Sequence, residues 1–324
     1  MELHLNEQTR SKRKPWSWTK QNKARSEDIQ RVMNDLKKYW PLTERQVFYR
    51  LIHSKYVLAP HWLKKDGKPI NYYSALGRML KWMRIYDHIP MESIIDEHRI
   101  LTDKVGFSSA KSFINSELDN LGNGYSRCNA QKQDRYVEVW IEKATLLHIV
   151  EPVADEFCRR VVVCKGYQSV TFQVAFYDRA AEALSKGEIP TVLYFGDWDP
   201  SGVNMIYAAI QTLSDELDLY GVEYHRCGIN PVHFSMLDAD PVPLNPNDPR
   251  AKKFIKEHGP TCYELDAFHP EQLITLVRES IKKFTDMTNY DENSRLQRID
   301  RKKITEWRER VGKYAAEVVG EIGI

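Results

Sequence analysis

The chain of 324 residues contains no apolar run of about 18 residues, the length a membrane-crossing helix needs, so no transmembrane segment is expected. The N-terminus is polar, which sets the expectation of no signal peptide and of a cytoplasmic location, nucleoid-associated in a bacterial or phage setting. Cysteine is scarce: Cys128, Cys158, Cys164, Cys227 and Cys262 are odd in number and lack paired metal-ligand spacing, which argues against a disulfide framework or a zinc site. The 10 His residues are equally scattered and receive no role. A net charge of +2 is too small to argue for nucleic acid by itself, and neither an internal repeat nor a low-complexity tract is evident. With 42% apolar residues the composition is that of a globular chain, and the length suggests about two domains.

What charge there is lies unevenly. Arg10, Lys12, Arg13, Lys14, Lys20, Lys23 and Arg25 crowd the first 25 residues against only Glu2 and Glu7. Such an arm can bind a phosphate backbone or can simply be solvated, and both readings stand.

After the arm, residues 26–102 read as a small helical domain. Ser26 is the expected cap of a helix carrying Ile29, Val32, Met33 and Leu36. Thr43-Glu44-Arg45-Gln46 has the form of a capping box, followed by a stripe of Val47, Phe48, Leu51 and Ile52. A third helix is expected over 72–84, with Tyr73, Leu76, Leu80 and Met83 inward and Arg78, Lys81 and Arg84 turned elsewhere. Three short helices, the last one basic, fit a winged-helix-like DNA-binding module or a plain helical bundle. Residues 103–134 are poor in apolar side chains and rich in Gly and Asn, which marks a connection with one helix around 111–119.

From 135 onward strands and helices alternate, the pattern of a mostly parallel sheet flanked by helices. Strands are expected at 135–141, 161–164, 191–195 and 222–227, with a further one at 261–265, and a terminal helical extension carries Ile304, Trp307, Val311, Tyr314 and Val318. The most informative tract is Thr191-Val192-Leu193-Tyr194-Phe195-Gly196-Asp197-Trp198-Asp199-Pro200-Ser201-Gly202: a buried strand that empties into two carboxylates and then a helix. In open α/β sheets ligands collect beyond the carboxyl ends of the strands, and Asp oxygens suit Mg²⁺. Helix capping is the alternative, but it needs only one acid. Glu142 closes an earlier strand, so parallel strands would bring Glu142, Asp197 and Asp199 to one edge, where they repel unless a cation joins them. Lys143 is available to offset Glu142 in part.

The ordered set Glu142-Lys143, Lys165-Gly166-Tyr167-Gln168-Ser169 and Gly196-Asp197-Trp198-Asp199-Pro200-Ser201-Gly202 resembles the Toprim domain of the topoisomerase VI A subunit and the meiotic double-strand-break transesterase family. The resemblance implies a winged-helix domain ahead of a Toprim domain at 135–324, and a catalytic tyrosine four positions after an Arg. Arg45 and Tyr49 have that spacing, and a shared helix face would expose the tyrosine beside the arginine. It further implies Mg²⁺ on Glu142, Asp197 and Asp199, Tyr49 attacking a phosphodiester with help from Arg45, and double-stranded DNA held by Arg50, Arg78, Lys81, Arg84 and the arm residues Lys12, Arg13 and Lys14. A homodimer is implied as well, and a separate ATPase subunit fits the family. The chain departs from it in being short, in lacking an ATPase module and in its Gly-Tyr-Gln-Ser loop. Cys262-Tyr263-Glu264-Leu265-Asp266-Ala267-Phe268 resembles an ending seen in short bacterial and phage relatives, with Glu264 and Asp266 placed to supplement the metal site or to pack near it. A Toprim nuclease acting without a covalent intermediate and a non-catalytic DNA-binding scaffold are the competing functions.

Overall fold

In the computed structural model the described residues are 16–53, 59–64, 67–68, 70–95, 106–164, 170–237, 239–244 and 248–321. The chain divides into two compact units, Met1–Asp96 and Glu97–Ile324.

The first unit is built from α1 (Lys20–Asp35), α2 (Glu44–His53) and α3 (Tyr72–Ile85). Helix α1 begins before the expected cap: Thr19 Oγ1 accepts the Asn22 N–H at 3.2 Å, and Ser26 lies inside the helix with its hydroxyl on Lys23 O at 2.8 Å. The reason is local, since Lys20, Gln21, Lys23, Ala24 and Arg25 are all good helix formers and nothing between them interrupts the turn. The capping box of α2 is formed in both directions: Gln46 N donates to Thr43 Oγ1 at 3.0 Å and Thr43 N donates to Gln46 Oε1 at 2.8 Å. Ile29, Met33, Leu51, Trp62, Leu76, Leu80 and Met83 meet in one core. Tyr73, expected inward, is 40% exposed. It sits in the first turn of α3 and reaches only the rim of that core, edge-on to Phe48 at 5.3 Å.

Asp28 anchors the segment after α2, accepting from Trp62 Nε1 at 2.8 Å and lying 2.6 Å from His61 Nε2. This unit adds a parallel bridge between Leu42 and Ile94, and a tight reversal after Trp62 in which Lys64 N donates to Lys68 O at 2.7 Å and Ile70 N to Trp62 O at 3.4 Å.

The second unit is α/β. Following α4 (Ala110–Asn120), strands β1 (Arg135–Ile141), β2 (Arg160–Val163), β3 (Ile189–Phe195) and β4 (Glu223–Gly228) form an all-parallel sheet of order β2-β1-β3-β4. Helices α5 (Leu147–Glu156), α6 (Val170–Ser185) and α7 (Pro200–Gln211) connect the strands, and α8 (Ala251–His258), α9 (Pro270–Lys283) and α10 (Met287–Glu321) follow. Phe176 and Ala180 of α6 and Met205, Ile206 and Ala209 of α7 cover Trp140, Val192 and Tyr194. Strand alternation turns Val139, Ile141, Leu193 and Phe195 to the opposite face, where α5 packs with α9. Both faces are therefore buried, which is why β1 and β3 read as nearly continuous apolar runs.

Glu138 is the exception within β1 and has no solvent exposure. Its carboxylate is saturated: Arg179 Nε and Nη2 donate at 2.6 and 3.1 Å, Tyr136 Oη at 2.6 Å and Trp140 Nε1 at 2.9 Å. The expected strand at 261–265 does not extend the sheet. Instead Tyr263 pairs with Trp198 through N–H to O contacts of 2.8 and 3.0 Å, and Val242 bridges Cys262. No helix among the described residues is long and apolar enough to cross a membrane.

Candidate functional site

Parallel pairing puts the ends of β1 and β3 side by side, with Ile141 opposite Phe195. Glu142 and the turn Gly196 to Asp199 leave these strands at the same, C-terminal edge, as the sequence leads one to expect. Glu142 Oε2 accepts the Asp197 N–H at 2.8 Å and lies 3.4 Å from the Tyr194 hydroxyl, which donates to Gly202 O at 3.2 Å. Gly196 and Gly202 admit this approach: a Cβ on either would come within 2.9 Å of Glu142 Oε2.

Asp199 is the N-cap of α7, its Oδ1 accepting from Ser201 N at 2.8 Å and Gly202 N at 2.7 Å. A cap is worth about 1 kcal/mol and uses this one oxygen. Asp197 is engaged differently, with Oδ1 on Leu265 N at 2.7 Å and Oδ2 beside Lys143 Nζ at 3.1 Å. Lys143 also lies 2.8 Å from Asp266 Oδ2 and 3.3 Å from Glu264 Oε2. Lys143 thus makes three ion pairs to other acids, two of them more than a hundred residues away in the chain, while its charge still offsets Glu142 in part. Breaking a buried pair of this kind costs roughly 3–5 kcal/mol.

Arg226 of β4 completes the arrangement, and sequence reasoning missed it. Its guanidinium donates to Gly196 O at 2.9 Å, Gly202 O at 3.1 Å, Ile229 O at 3.2 Å and to Asp197 O, and stacks 5.4 Å from both the Tyr194 and Trp198 rings. The available signal was a basic residue near the end of a strand that belongs to the same sheet edge as the acids.

Burial dominates the electrostatics. It raises the Glu142 carboxyl above its ordinary value, with the Asp197 N–H opposing and Asp199 adding to the shift. Burial likewise pushes Asp197 up to about 7, against the pull of Lys143 and with Glu142 reinforcing it. For Lys143 burial acts downward, but Asp266, Asp197 and Glu264 outweigh it and hold the ammonium above the usual Lys range. Burial lowers Arg226.

Among the described residues no three acidic, His or Cys side chains converge on one ion-sized space as they stand. The hydrogen-bond geometry leaves one oxygen each on Glu142 and Asp199 uncommitted within the described residues, whereas both oxygens of Asp197 are in use. Two hard carboxylates completed by waters and substrate phosphates match the usual Mg²⁺ site, so the donor set suits that ion with Glu142 and Asp199 as holders and Asp197 as their support. A cleft of about 200 Å³ opens beside Asp199, lined also by Pro200, Val242, Asp248 and Glu264 among others. That is smaller than a typical small-molecule pocket.

The other expected site residues lie in the first unit. Arg45, Tyr49 and Arg50 are on α2, and Arg78, Lys81 and Arg84 are on α3. Arg45, Arg78 and Lys81 are exposed, and Arg84 is half-buried with Nε on Leu80 O at 3.4 Å. Tyr49 corrects an expectation: it is 5% exposed and packed edge-on to Phe48 at 5.5 Å, whereas Arg45, one helical turn earlier, is exposed. Lys12, Arg13 and Lys14, and the loop from Lys165 to Ser169, lie outside the described residues. Comparison with known proteins returns no match to a protein-family model, a curated protein or a solved structure.

Proposed function

We propose that this chain cleaves DNA strands in a Mg²⁺-dependent transesterification of the topoisomerase VI A type, with the α/β unit acting as a Toprim domain and the helical unit as a winged-helix-like DNA-binding domain. The observation that carries the reading is the pair Glu142 and Asp199, each with an uncommitted oxygen within the described residues, beyond the ends of adjacent parallel strands, with a cleft of about 200 Å³ opening beside Asp199. Mg²⁺ bound there supplies positive charge that orients a phosphodiester and stabilises the departing oxygen.

The chain's own residues do the rest. Asp197 presents its N–H to Glu142 and is itself fixed by Leu265 and Lys143, so the carboxylates are set before DNA arrives. Tyr49 attacks phosphorus, its phenol losing a proton while the departing DNA oxygen takes one up, and the phosphotyrosyl link conserves the bond for resealing. Arg45 or Arg50 neutralises phosphate charge, and Arg78, Lys81 and Arg84 with Lys12, Arg13 and Lys14 hold the backbone of double-stranded DNA. A homodimer would set the tyrosine of one chain against the carboxylates of its partner, and an ATPase subunit would drive turnover.

The test is incubation with supercoiled DNA and Mg²⁺, denaturation, and a search for protein joined to DNA ends. Adducts are expected with the wild-type chain and none with Tyr49→Phe, whose DNA binding stays intact. Adducts that persist in Tyr49→Phe would remove Tyr49 from the mechanism.

The burial of Tyr49 favours a second reading, a Toprim nuclease in which water replaces the tyrosine. Its signature is cleavage with free ends, undiminished in Tyr49→Phe and lost in Glu142→Gln.

A further inference from the structure

Lys143 follows Glu142 directly, yet its ion pairs go to three other acids. Asp266 Oδ2, Asp197 Oδ2 and Glu264 Oε2 lie 2.8, 3.1 and 3.3 Å from one nitrogen, and they come from the turn after β3 and the segment before α9. An ammonium has three N–H donors, one for each of these oxygens. The group is enclosed: the side chains of Lys143, Asp197 and Asp266 are 18%, 8% and 1% exposed.

Three carboxylate oxygens from different segments surround one cationic nitrogen, and oxygens of this kind are also the ligands of hard divalent ions. Calcium takes oxygens at about 2.3–2.6 Å, so contraction on the order of half an ångström would bring these oxygens to that range. Catalytic sites for phosphodiester cleavage often use two divalent ions about 3.5–4 Å apart. Here the Lys143 ammonium sits among the three oxygens.

We propose that Lys143 is a built-in cation: its ammonium fills the place among Asp197, Glu264 and Asp266 that a second divalent ion would take, limiting the sheet edge to one such ion on Glu142 and Asp199. Lys143 is then a positioning residue. It holds Asp197, whose N–H in turn orients Glu142. The count of one ion rests on the metal reading given above, whereas the occupancy by Lys143 does not.

The experiment counts Mn²⁺ bound per full-length chain by equilibrium dialysis for the wild type, Lys143→Arg and Lys143→Met. One, one and two ions are expected, and Lys143→Met should melt below the wild type in chelator but gain more from added Mn²⁺. Adding Asp266→Asn to Lys143→Met should remove the extra ion and so locate it. If Lys143→Met fails to fold in chelator, refolding in Mn²⁺ should restore it, and failure to do so overturns the proposal. So does a second ion in the wild type, or no additional ion in Lys143→Met. No ion in the wild type but one in Lys143→Met would sink the Glu142 and Asp199 site while leaving the role of Lys143 standing.

Discussion

Glu142 Oε2 accepts the main-chain N–H of Asp197 at 2.8 Å, joining the ends of two parallel strands whose residues are 55 apart in sequence. This bond makes the two carboxylates one electrostatic unit. Its charge state, its packing and its partners can each be probed separately.

Asp199 combines a cap with a proposed ion-holding role, and substitutions separate the two. Asp199→Ser keeps an oxygen for Ser201 N and Gly202 N, so stability should change by a few tenths of a kcal/mol. Asp199→Ala should cost about 1 kcal/mol in chemical denaturation. Both should lose Mn²⁺ affinity by at least tenfold in dialysis. Undiminished affinity in Asp199→Ser would leave capping as the only role of this side chain.

Gly202→Ala offers a test of sign. Helix propensity alone predicts a gain of about 1 kcal/mol for this change. The added methyl, however, would meet the Asp197 carbonyl and Glu142 Oε2, the latter at 2.9 Å. Backbone yields poorly, so a net loss of about 1–3 kcal/mol is expected in urea unfolding, with weakened Mn²⁺ binding.

The pH dependence of the metal-free chain follows from Asp197, held at about 7 by burial against about 3.9 when unfolded. Between these values the folded state binds a proton that the unfolded state does not. Stability in chelator should therefore rise as pH falls from 7 toward 4, with a limiting slope of about 1.4 kcal/mol per pH unit. Asp197→Asn should flatten the slope in denaturation curves at pH 5.5 and 7.5. Glu142, raised in the same direction, contributes to it, and saturating Mg²⁺ should reduce it because the ion favours the ionised form.

Glu138→Ala should be among the most damaging changes in the sheet. It strands the Arg179 guanidinium, the Tyr136 hydroxyl and the Trp140 indole N–H around a vacated site. A loss of roughly 3–5 kcal/mol is expected by denaturation, with Glu138→Gln milder because it keeps an acceptor.

Local patterns were legible in the sequence. The apolar runs of β1 and β3, the Thr43 and Gln46 capping box and the acidic turn entering α7 each depend on neighbours within a few residues. Parallel order then placed Glu142 beside the Asp pair with no further information. The partners of Lys143 were not legible, because Glu264 and Asp266 reach it only through the pairing of Tyr263 with Trp198. Spacing alone likewise could not give the burial of Tyr49, since Arg45 and Tyr49 are one helical turn apart on one face, yet the first is exposed and the second buried. Glu138 escaped notice for a related reason: an acid at an alternating strand position reads as solvent-facing until a helix such as α6 is known to supply Arg179.

Arg226 clamps the acidic turn to β4, an edge strand, through carbonyls of Gly196, Asp197 and Gly202. Strands at a sheet margin are the first to detach in local opening, whereas β1 and β3 lie inside. The turn thus inherits the breathing of the margin: when β4 lifts, the carbonyl clamp goes with it. In native-state hydrogen exchange the amides of Asp197, Ser201 and Gly202 should be released together with those of β4 as one cooperative unit, ahead of β1.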